Sequence, residues 1–250
     1  MATYLYCVLA PPRIDAAPGL PGIGGTPVRA IVTPSGLEAW VSTIDEGAVR
    51  TSGRALAEQA LLHNEVADAA LATGRTPLPA RFGSQFADDA TCIAHLEQHH
   101  RALSAALTRV ADAVEMSVLL VPVERGRANP RTSPRRDEPA AGRRYLEAVR
   151  QRTRDEERRR AVAASMAGRI TSTVASIVRG ESRDAGTADI LSVAHLVGRG
   201  EVDRYRREVT AVVPEAGYRI VVAGPRAPYS FAAESAPLVG HDSSSPNRDE

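Results

Sequence analysis

The residues of this chain best suited to chemistry are a few histidines, two cysteines, one glycine cluster and one arginine. His95 and His99 stand four apart, the spacing by which one helix turns two imidazoles toward a metal ion. No third ligand of matching type is near in sequence, and His99-His100 reads as a solvated face, so no metal site is assigned. His63 follows two leucines and precedes Val66. An acid–base role would need a partner group within reach, and nothing nearby pairs with it. His63 is therefore read as a boundary histidine hydrogen-bonded to backbone. Cys7 and Cys92 are far apart and have neither CxxC spacing nor papain-like flanks, so they read as structural or free thiols in a reducing compartment.

Gly22-Ile23-Gly24-Gly25 has the composition of a phosphate loop. No strand-to-helix junction surrounds it and no lysine follows, so a tight turn is expected. Arg81, beside Phe82 and Gly83, can hold a carboxylate bidentately at a sheet edge, and a structural role is preferred for it. There is no GxSxG nucleophile motif. No catalytic residue, cofactor or metal is assigned. Two other readings stand beside this one: an enzyme on an α+β scaffold using His63 and Arg81, or a small-ligand-binding regulatory module. The second would rest on fold analogy alone.

Composition narrows the partners. The 250 residues suit one large or two small domains with a real core, and the net charge of +1 calls for neither nucleic acid nor an anionic membrane. All 31 basic residues are arginine, as codon bias in a GC-rich genome would give. The arginines of 152–160 interleave with Asp155, Glu156 and Glu157, so that stretch reads as a self-neutralising solvated helix. LYCVLA near the start lacks a basic flank and is broken by Pro11-Pro12; it reads as a strand, not a targeting segment. No stretch approaches the ~20 apolar residues of a membrane span. A soluble, cytoplasmic protein is expected.

The elements that must position these residues follow from periodicity. Strands are expected at 3–10, Val28–Thr33 and Leu37–Ile44, with Pro34-Ser35-Gly36 as the turn joining the last two and a Pro/Gly loop at 11–27. A helix from Ser52 to Ala72 ends at Gly74. Leu78–Phe86 is a loop or short strand, and one helix is expected over 88–110. Glu115–Val123 is apolar on both faces, hence a central strand. A mobile charged loop at 124–140 precedes a long helix over 142–179. Its apolar positions lie in its first and last parts, and its middle (QRTRDEERRR) has none. Asp189–Val197 is a strand, Glu201–Val212 a helix and Tyr218–Ala223 a strand. The second half thus reads β-α-β-α-β, with any fourth strand hidden. The Ser-rich tail 233–250 is expected to be disordered.

The last patterned stretch, GYRIVVAGPRAPYSF, is the most specific. Its strand is expected to stop at Gly224-Pro225, and Pro228 forbids a return to helix or central sheet. A stiff corner carrying Tyr229, Ser230 and Phe231 follows, without an acid, base or nucleophile pair. GPRAPYSF resembles the GPWPPYSF ending of the gas vesicle protein F/L family. Tyr4-Leu5-Tyr6 and the Gly22–Gly25 turn resemble that family's opening. His63-x-x-Val66 with Leu78-Pro79-Ala80-Arg81-Phe82-Gly83 is similar to its aH-x-x-V and lP-l-RFG elements. Gly142-Arg143-Arg144-Tyr145-Leu146 is similar to its G-x-x-YL, and Ala194-His195-Leu196-Val197 to its A-Y-LV. The matches come in family order and span roughly residues 4 to 231. Arg226 stands where the family has an aromatic, and His195 where it has tyrosine.

The resemblance implies an α+β fold of two domains, 1–112 and 113–232, the second a modified ferredoxin-like fold with a long helix. It implies a gas vesicle accessory or minor structural protein. Such a protein associates with the small, very hydrophobic main shell protein and with other vesicle proteins, and supports assembly. On this reading the partner-facing parts are the 142–180 helix, with Tyr145, and the corner from Gly224 to Phe231, with Arg226, Tyr229 and Phe231. His63, Arg81, Phe82, Gly83, Gly224 and Pro225 are expected to be structural.

Overall fold

The computed structural model describes residues 1–11, 19–45, 47–49, 52–123, 140–184 and 191–232. The fold is mixed helix and sheet, divided into two compact units. One comprises Met1–Glu115 with the described residues from Pro225 on; the other is Met116–Gly224.

In the first unit, β1 (Ala2–Leu9), β2 (Arg29–Val32) and β3 (Glu38–Ile44) form an antiparallel sheet extended by β4 (Leu78–Pro79), in the order β2-β3-β1-β4; β5 (Gln85–Phe86) also pairs with β1. Every residue of β1 after Ala2 is buried, which requires a core on each side of it. A bulge between Leu5 and Cys7 shifts the alternation, so Tyr4, Tyr6, Cys7 and Leu9 enter one core while Leu5 and Val8 enter the other. The first core is closed by α1 (Gly53–Ala72) through Val66 and Ala70. The second is closed by α2 (Asp89–Gln98) and α3 (His100–Val110).

The single helix expected over 88–110 is thus two helices. They are broken at His99, whose φ of −102° and ψ of 9° leave the helical range. The break lets Cys92 and Leu96 on one piece and Leu103, Ala106 and Leu107 on the other reach the same core. Asp88 caps α2, its carboxylate accepting the Thr91 amide at 2.7 Å.

Two arginine–carboxylate pairs pin the sheet. Glu38 is buried, and its carboxylate accepts from Arg75 Nη1 at 2.7 Å and from the Trp40 indole at 2.8 Å. Arg75 also donates to the Ala10 carbonyl. Arg29 grips Asp89 with two parallel hydrogen bonds of 2.7 Å, and Thr3 adds a third donor at 2.6 Å.

In the second unit, β6 (Ala113–Pro122), α4 (Ala140–Val174), β7 (Val178–Asp184), β8 (Leu191–Gly198), α5 (Val202–Ala211) and β9 (Tyr218–Arg226) form a four-stranded sheet ordered β7-β8-β6-β9 with two helices. The long helix therefore stops at Val174, short of the expected 179, and the hidden fourth strand is β7. Its sequence, VRGESRD, has only one large apolar residue, so it carries no alternation to read. Antiparallel pairing with β8, Val178 opposite Val197 and Glu181 opposite His195, makes it a strand. The expected stop at Gly224-Pro225 does not occur: β9 runs through both to Arg226. As an edge strand, it tolerates a proline that cannot donate to the ladder.

The corner after β9, expected to lie with the second domain, is part of the first unit. There α6 (Tyr229–Ala232) places Ala232 in the core with Leu5 and Leu103. Of the loop expected at 124–140, all but Ala140, the first residue of α4, lies outside the described residues, as does the tail from 233.

Replacing Arg75 with methionine leaves the Glu38 carboxylate buried beside the indole without its counter-ion. The expected loss is about 3 kcal/mol, read as a lower urea midpoint at unchanged slope. Replacing both residues, Glu38→Gln with Arg75→Met, should recover a large part of that loss.

Candidate functional site

His63 lies on the inward face of α1 at 1% exposure, and three other parts of the first unit converge on it. Its Nε2 is 3.0 Å from the carbonyl of Ala80, and its Nδ1 is 3.0 Å from the Tyr4 hydroxyl. A carbonyl only accepts, so Nε2 carries the proton and Nδ1 accepts from Tyr4. The same Tyr4 oxygen accepts the Gly83 amide at 3.0 Å. The relay runs from Gly83 N–H through the Tyr4 hydroxyl and the imidazole to the Ala80 carbonyl. It ties α1 and β1 to both ends of the 80–83 turn. Gly83 has φ +89°, a conformation a side chain would strain.

Rings enclose this relay. Phe82 meets His63 and Tyr4 edge-on at 5.8 and 6.4 Å, and Tyr6 lies 5.6 Å from His63. Tyr229 of the corner closes the cluster at 6.1 Å. Burial drives the His63 pKa down to about 4, against the bond to Ala80, which favours the charged form. Both ring nitrogens are engaged, and the neutral ring ties α1 to β1 and to the 80–83 turn. Burial likewise raises the Tyr4, Tyr6 and Tyr229 hydroxyls above the usual phenol range.

The glycine cluster belongs to the same assembly. Tyr6 Oη accepts the Ile23 amide at 2.7 Å and bonds Ser42 Oγ at 2.9 Å. A Cβ on Gly22 would come within 2.5 Å of that hydroxyl, so only glycine fits there. Gly22–Gly25 is a turn over a buried tyrosine, as its surroundings in sequence suggested.

The corner is fastened by three polar anchors on three elements. The Ala227 amide donates to Asp68 at 2.9 Å. The Ser230 amide and hydroxyl donate to the Glu115 carboxylate at 2.7 and 3.1 Å. Arg109 donates to the Phe231 carbonyl at 2.9 Å. Phe231 is 5% exposed and the Tyr229 hydroxyl is buried, so neither is a ready contact for a partner. That corrects the expectation of an aromatic docking corner. Pro225 is exposed and Arg226 half-buried. Gly224 accepts a hydrogen bond from Arg206.

Arg81 does not hold a carboxylate: its side chain is exposed and makes no ion pair among the described residues. The bidentate clamp is Arg29–Asp89 instead. Sequence reasoning also passed over Asp68, Arg109 and the buried Glu115, charged residues whose roles only long-range contacts explain. Tyr4-x-Tyr6 was the available signal, two tyrosines placed on one side of a fully buried strand. Both cysteine thiols are buried, with pKa values pushed up, that of Cys92 to about 12. The His95 and His99 rings lie 4.6 Å apart, and among the described residues no three His, Cys, Asp or Glu side chains gather around a common point. No helix among them is long and apolar enough to cross a membrane.

In the second unit His195 is fully buried. Its Nδ1 lies 2.7 Å from the Tyr205 hydroxyl; its Nε2 lies 3.4 Å from Thr171 Oγ1 and 3.5 Å from Glu181. Burial lowers its pKa while Glu181 pulls it up. On α4, Tyr145 is 67% exposed.

Comparison with known proteins shows the family and the fold. The family described as gas vesicle synthesis protein GvpL/GvpF matches residues 2–233. The chain belongs to that family. Gas vesicle protein L of Streptomyces sp. (strain CB03234) is 30% identical over 252 aligned positions, covering 92% of each chain. Crystal structures of GvpF from Anabaena sp. PCC7120 and from Microcystis aeruginosa share the fold. Their TM-scores are 0.66 and 0.67 at 18% and 19% identity, with 92% of this chain and 98% of theirs covered. In this GvpL/GvpF chain Tyr4, Phe82, Gly83 and Tyr229, residues that carry the family resemblance in the first unit, form one knot around the buried His63. His195 is held by Tyr205 and faces Glu181.

Two measurements test the knot. An unfolded histidine binds its proton near pH 6.5, whereas His63 in the fold does so only near 4. Stability should therefore be complete above 6.5 and fall as pH drops toward 4, by on the order of 3 kcal/mol. His63→Gln should flatten that slope in urea titrations at successive pH values. The Tyr229 hydroxyl has no hydrogen-bond partner among the described residues. Tyr229→Phe should hence keep or raise stability, by up to about 1 kcal/mol in thermal melts, whereas Tyr229→Ala should lower it by roughly 3 kcal/mol.

Proposed function

We propose that this chain is a gas vesicle accessory or minor structural protein. It binds the main shell protein and other vesicle proteins in the cytoplasm and at the vesicle, and supports assembly without catalysing a reaction. The observation that carries this reading is the family match over nearly the whole chain. The second unit is proposed to be a modified ferredoxin-like domain, a reading supported by its β-α-β-β-α-β order and its strand arrangement β7-β8-β6-β9. The division proposed from the sequence, 1–112, 113–232 and a tail, is proposed here with the corner 225–232 moved to the first domain.

The physical task is to keep an apolar shell subunit from aggregating before it is placed. In the second unit an open groove of about 680 Å³ runs between α4 and the end of α5. Ser165, Gly168 and Ser172 line one wall and Ala211, Val212 and Val213 the other, with Val213 76% exposed. Small residues on one wall and aliphatic ones on the other suit a helix laid between them. Arg169, bonded to Glu215 and to the Val213 carbonyl, fixes the rim. We assign the shell protein to this groove, within the 142–180 helix expected to face partners.

A Cβ on Gly168 would meet nothing within 4 Å, so this position separates blocking from unfolding. Gly168→Ala should retain binding and raise stability by up to about 1 kcal/mol. Gly168→Trp should fold and lose the partner. The test is co-expression with the main shell protein of the same genome and capture from the soluble fraction. Equal capture by wild type and Gly168→Trp would remove the groove from the proposal. An insoluble shell protein with no capture by any variant would remove direct shell binding.

A further inference from the structure

The corner after β9 is built like a ligand of the unit it sits in. The chain leaves the first unit after Glu115 and returns to it at Pro225. Gly224, at φ +109°, stands just before that return and has the backbone freedom of a hinge. The returning residues fold on themselves: the Tyr229 amide donates to the Ala227 carbonyl at 2.9 Å and the Phe231 amide to the Pro228 carbonyl at 3.2 Å. Pro228 also fixes its own φ, so little ordering is left to be done on docking.

The first unit receives this turn in a socket that reads its chemistry. Asp68 of α1 accepts the Ala227 amide, Glu115 of β6 accepts the amide and hydroxyl of Ser230, and Arg109 of α3 donates to the Phe231 carbonyl. Phe231 is buried, Ala232 joins Leu5 and Leu103 in the core, and the Tyr229 ring closes on His63. A vacated socket would take the Ser230 donors from the buried Glu115 carboxylate and open the core beside Leu5 to water, so the socket favours being filled. None of these contacts depends on which copy of the chain supplies the turn, and every second copy carries the same one. That is the condition under which identical chains exchange an element.

We propose that the socket formed by Asp68, Arg109 and Glu115 is a peptide-binding site that accepts residues 227–232 of a second copy of this chain, so that two copies join by exchanging these turns. In dilute solution the tethered turn prevails, because its effective concentration is on the order of millimolar. Exchange grows as copies are crowded together. Tyr229 and Phe231 then meet the second copy inside its socket, not as an outward-facing surface. This inference does not depend on the groove assigned to the shell protein, and its test uses the purified chain and a synthetic peptide.

Two full-length variants separate the turn from the socket. Phe231→Ala spoils the turn and leaves the socket intact. Asp68→Ala with Arg109→Ala spoils the socket at two exposed residues and leaves the turn intact. The peptide RAPYSFA, residues 226–232, should raise the thermal midpoint of Phe231→Ala by about 4 °C at tenfold excess over its dissociation constant. It should not move the wild type, whose socket is filled, nor the double variant, and the peptide RAPYSAA should move none of them. Mixed in equal amounts, the two variants should associate as a heterodimer in sedimentation velocity, whereas each alone stays monomeric. Phe231→Leu repeats both measurements in a chain that loses less packing, and should respond in the same direction by a smaller shift. A peptide that moves no variant, a peptide that moves all chains alike, or a mixture that remains two monomers would each overturn the proposal.

Discussion

A neutral imidazole with both nitrogens bonded is the constraint on which the first unit depends. His63 sits where water cannot reach it, so each of its two polar atoms must find a protein partner. The Ala80 carbonyl fixes the proton on Nε2, and that leaves Nδ1 to accept from Tyr4. Tyr4 can then take the Gly83 amide on the same oxygen. One helix, the central strand and a turn nearly eighty residues from that strand are thereby locked in a single register. The aromatic rings around the relay exclude water and hold the low dielectric that keeps the imidazole uncharged.

Around that knot the first unit repeats one device: a polar side chain satisfied by a partner distant in sequence. Tyr6 caps the Ile23 amide, Glu38 takes Arg75 and the Trp40 indole, and Asp89 takes Arg29. The C-terminal corner is held the same way, by Asp68, Glu115 and Arg109. Buried pairs such as Glu38 with Arg75 add little net stability but penalise any arrangement that leaves one member alone. They therefore specify which strand lies beside which, a task that aliphatic packing alone performs loosely.

The second unit divides its labour differently. Its sheet and the C-terminal half of α4 make a conventional core, with Met166, Ile170 and Val174 buried. None of the residues 145–161 of α4 is buried, and the sequence agrees: charged residues all round, with Tyr145, Leu146 and Val149 near the start. A helix that is polar on every face is stable only with local ion pairs or a partner. Asp155 has a local partner in Arg158 at 3.6 Å. The unit thus offers two separate surfaces, a groove lined by small residues and a projecting charged helix.

The sequence by itself determined the strands with strong apolar patterning, the long helices, the turn at Gly22–Gly25 and the family. Each rests on a local signal, either periodicity or a run of motif residues that survives without knowing the fold. It could not show the break at His99, because the apolar spacing on either side is compatible with one helix. Nor could it show β7, because an edge strand with charges on it is made by its neighbour's hydrogen bonds and not by its own side chains. The roles of the motif residues were also out of reach. Arg81 looked like the clamp and is exposed, Phe231 looked like a contact and is buried, and the clamp fell to Arg29 and Asp89. Whether a polar side chain faces water or a partner sixty residues away depends on desolvation, and desolvation is a property of the assembled chain. Tertiary structure decided these roles because the cost of burying a charge or a hydroxyl exists only once the core around it has closed.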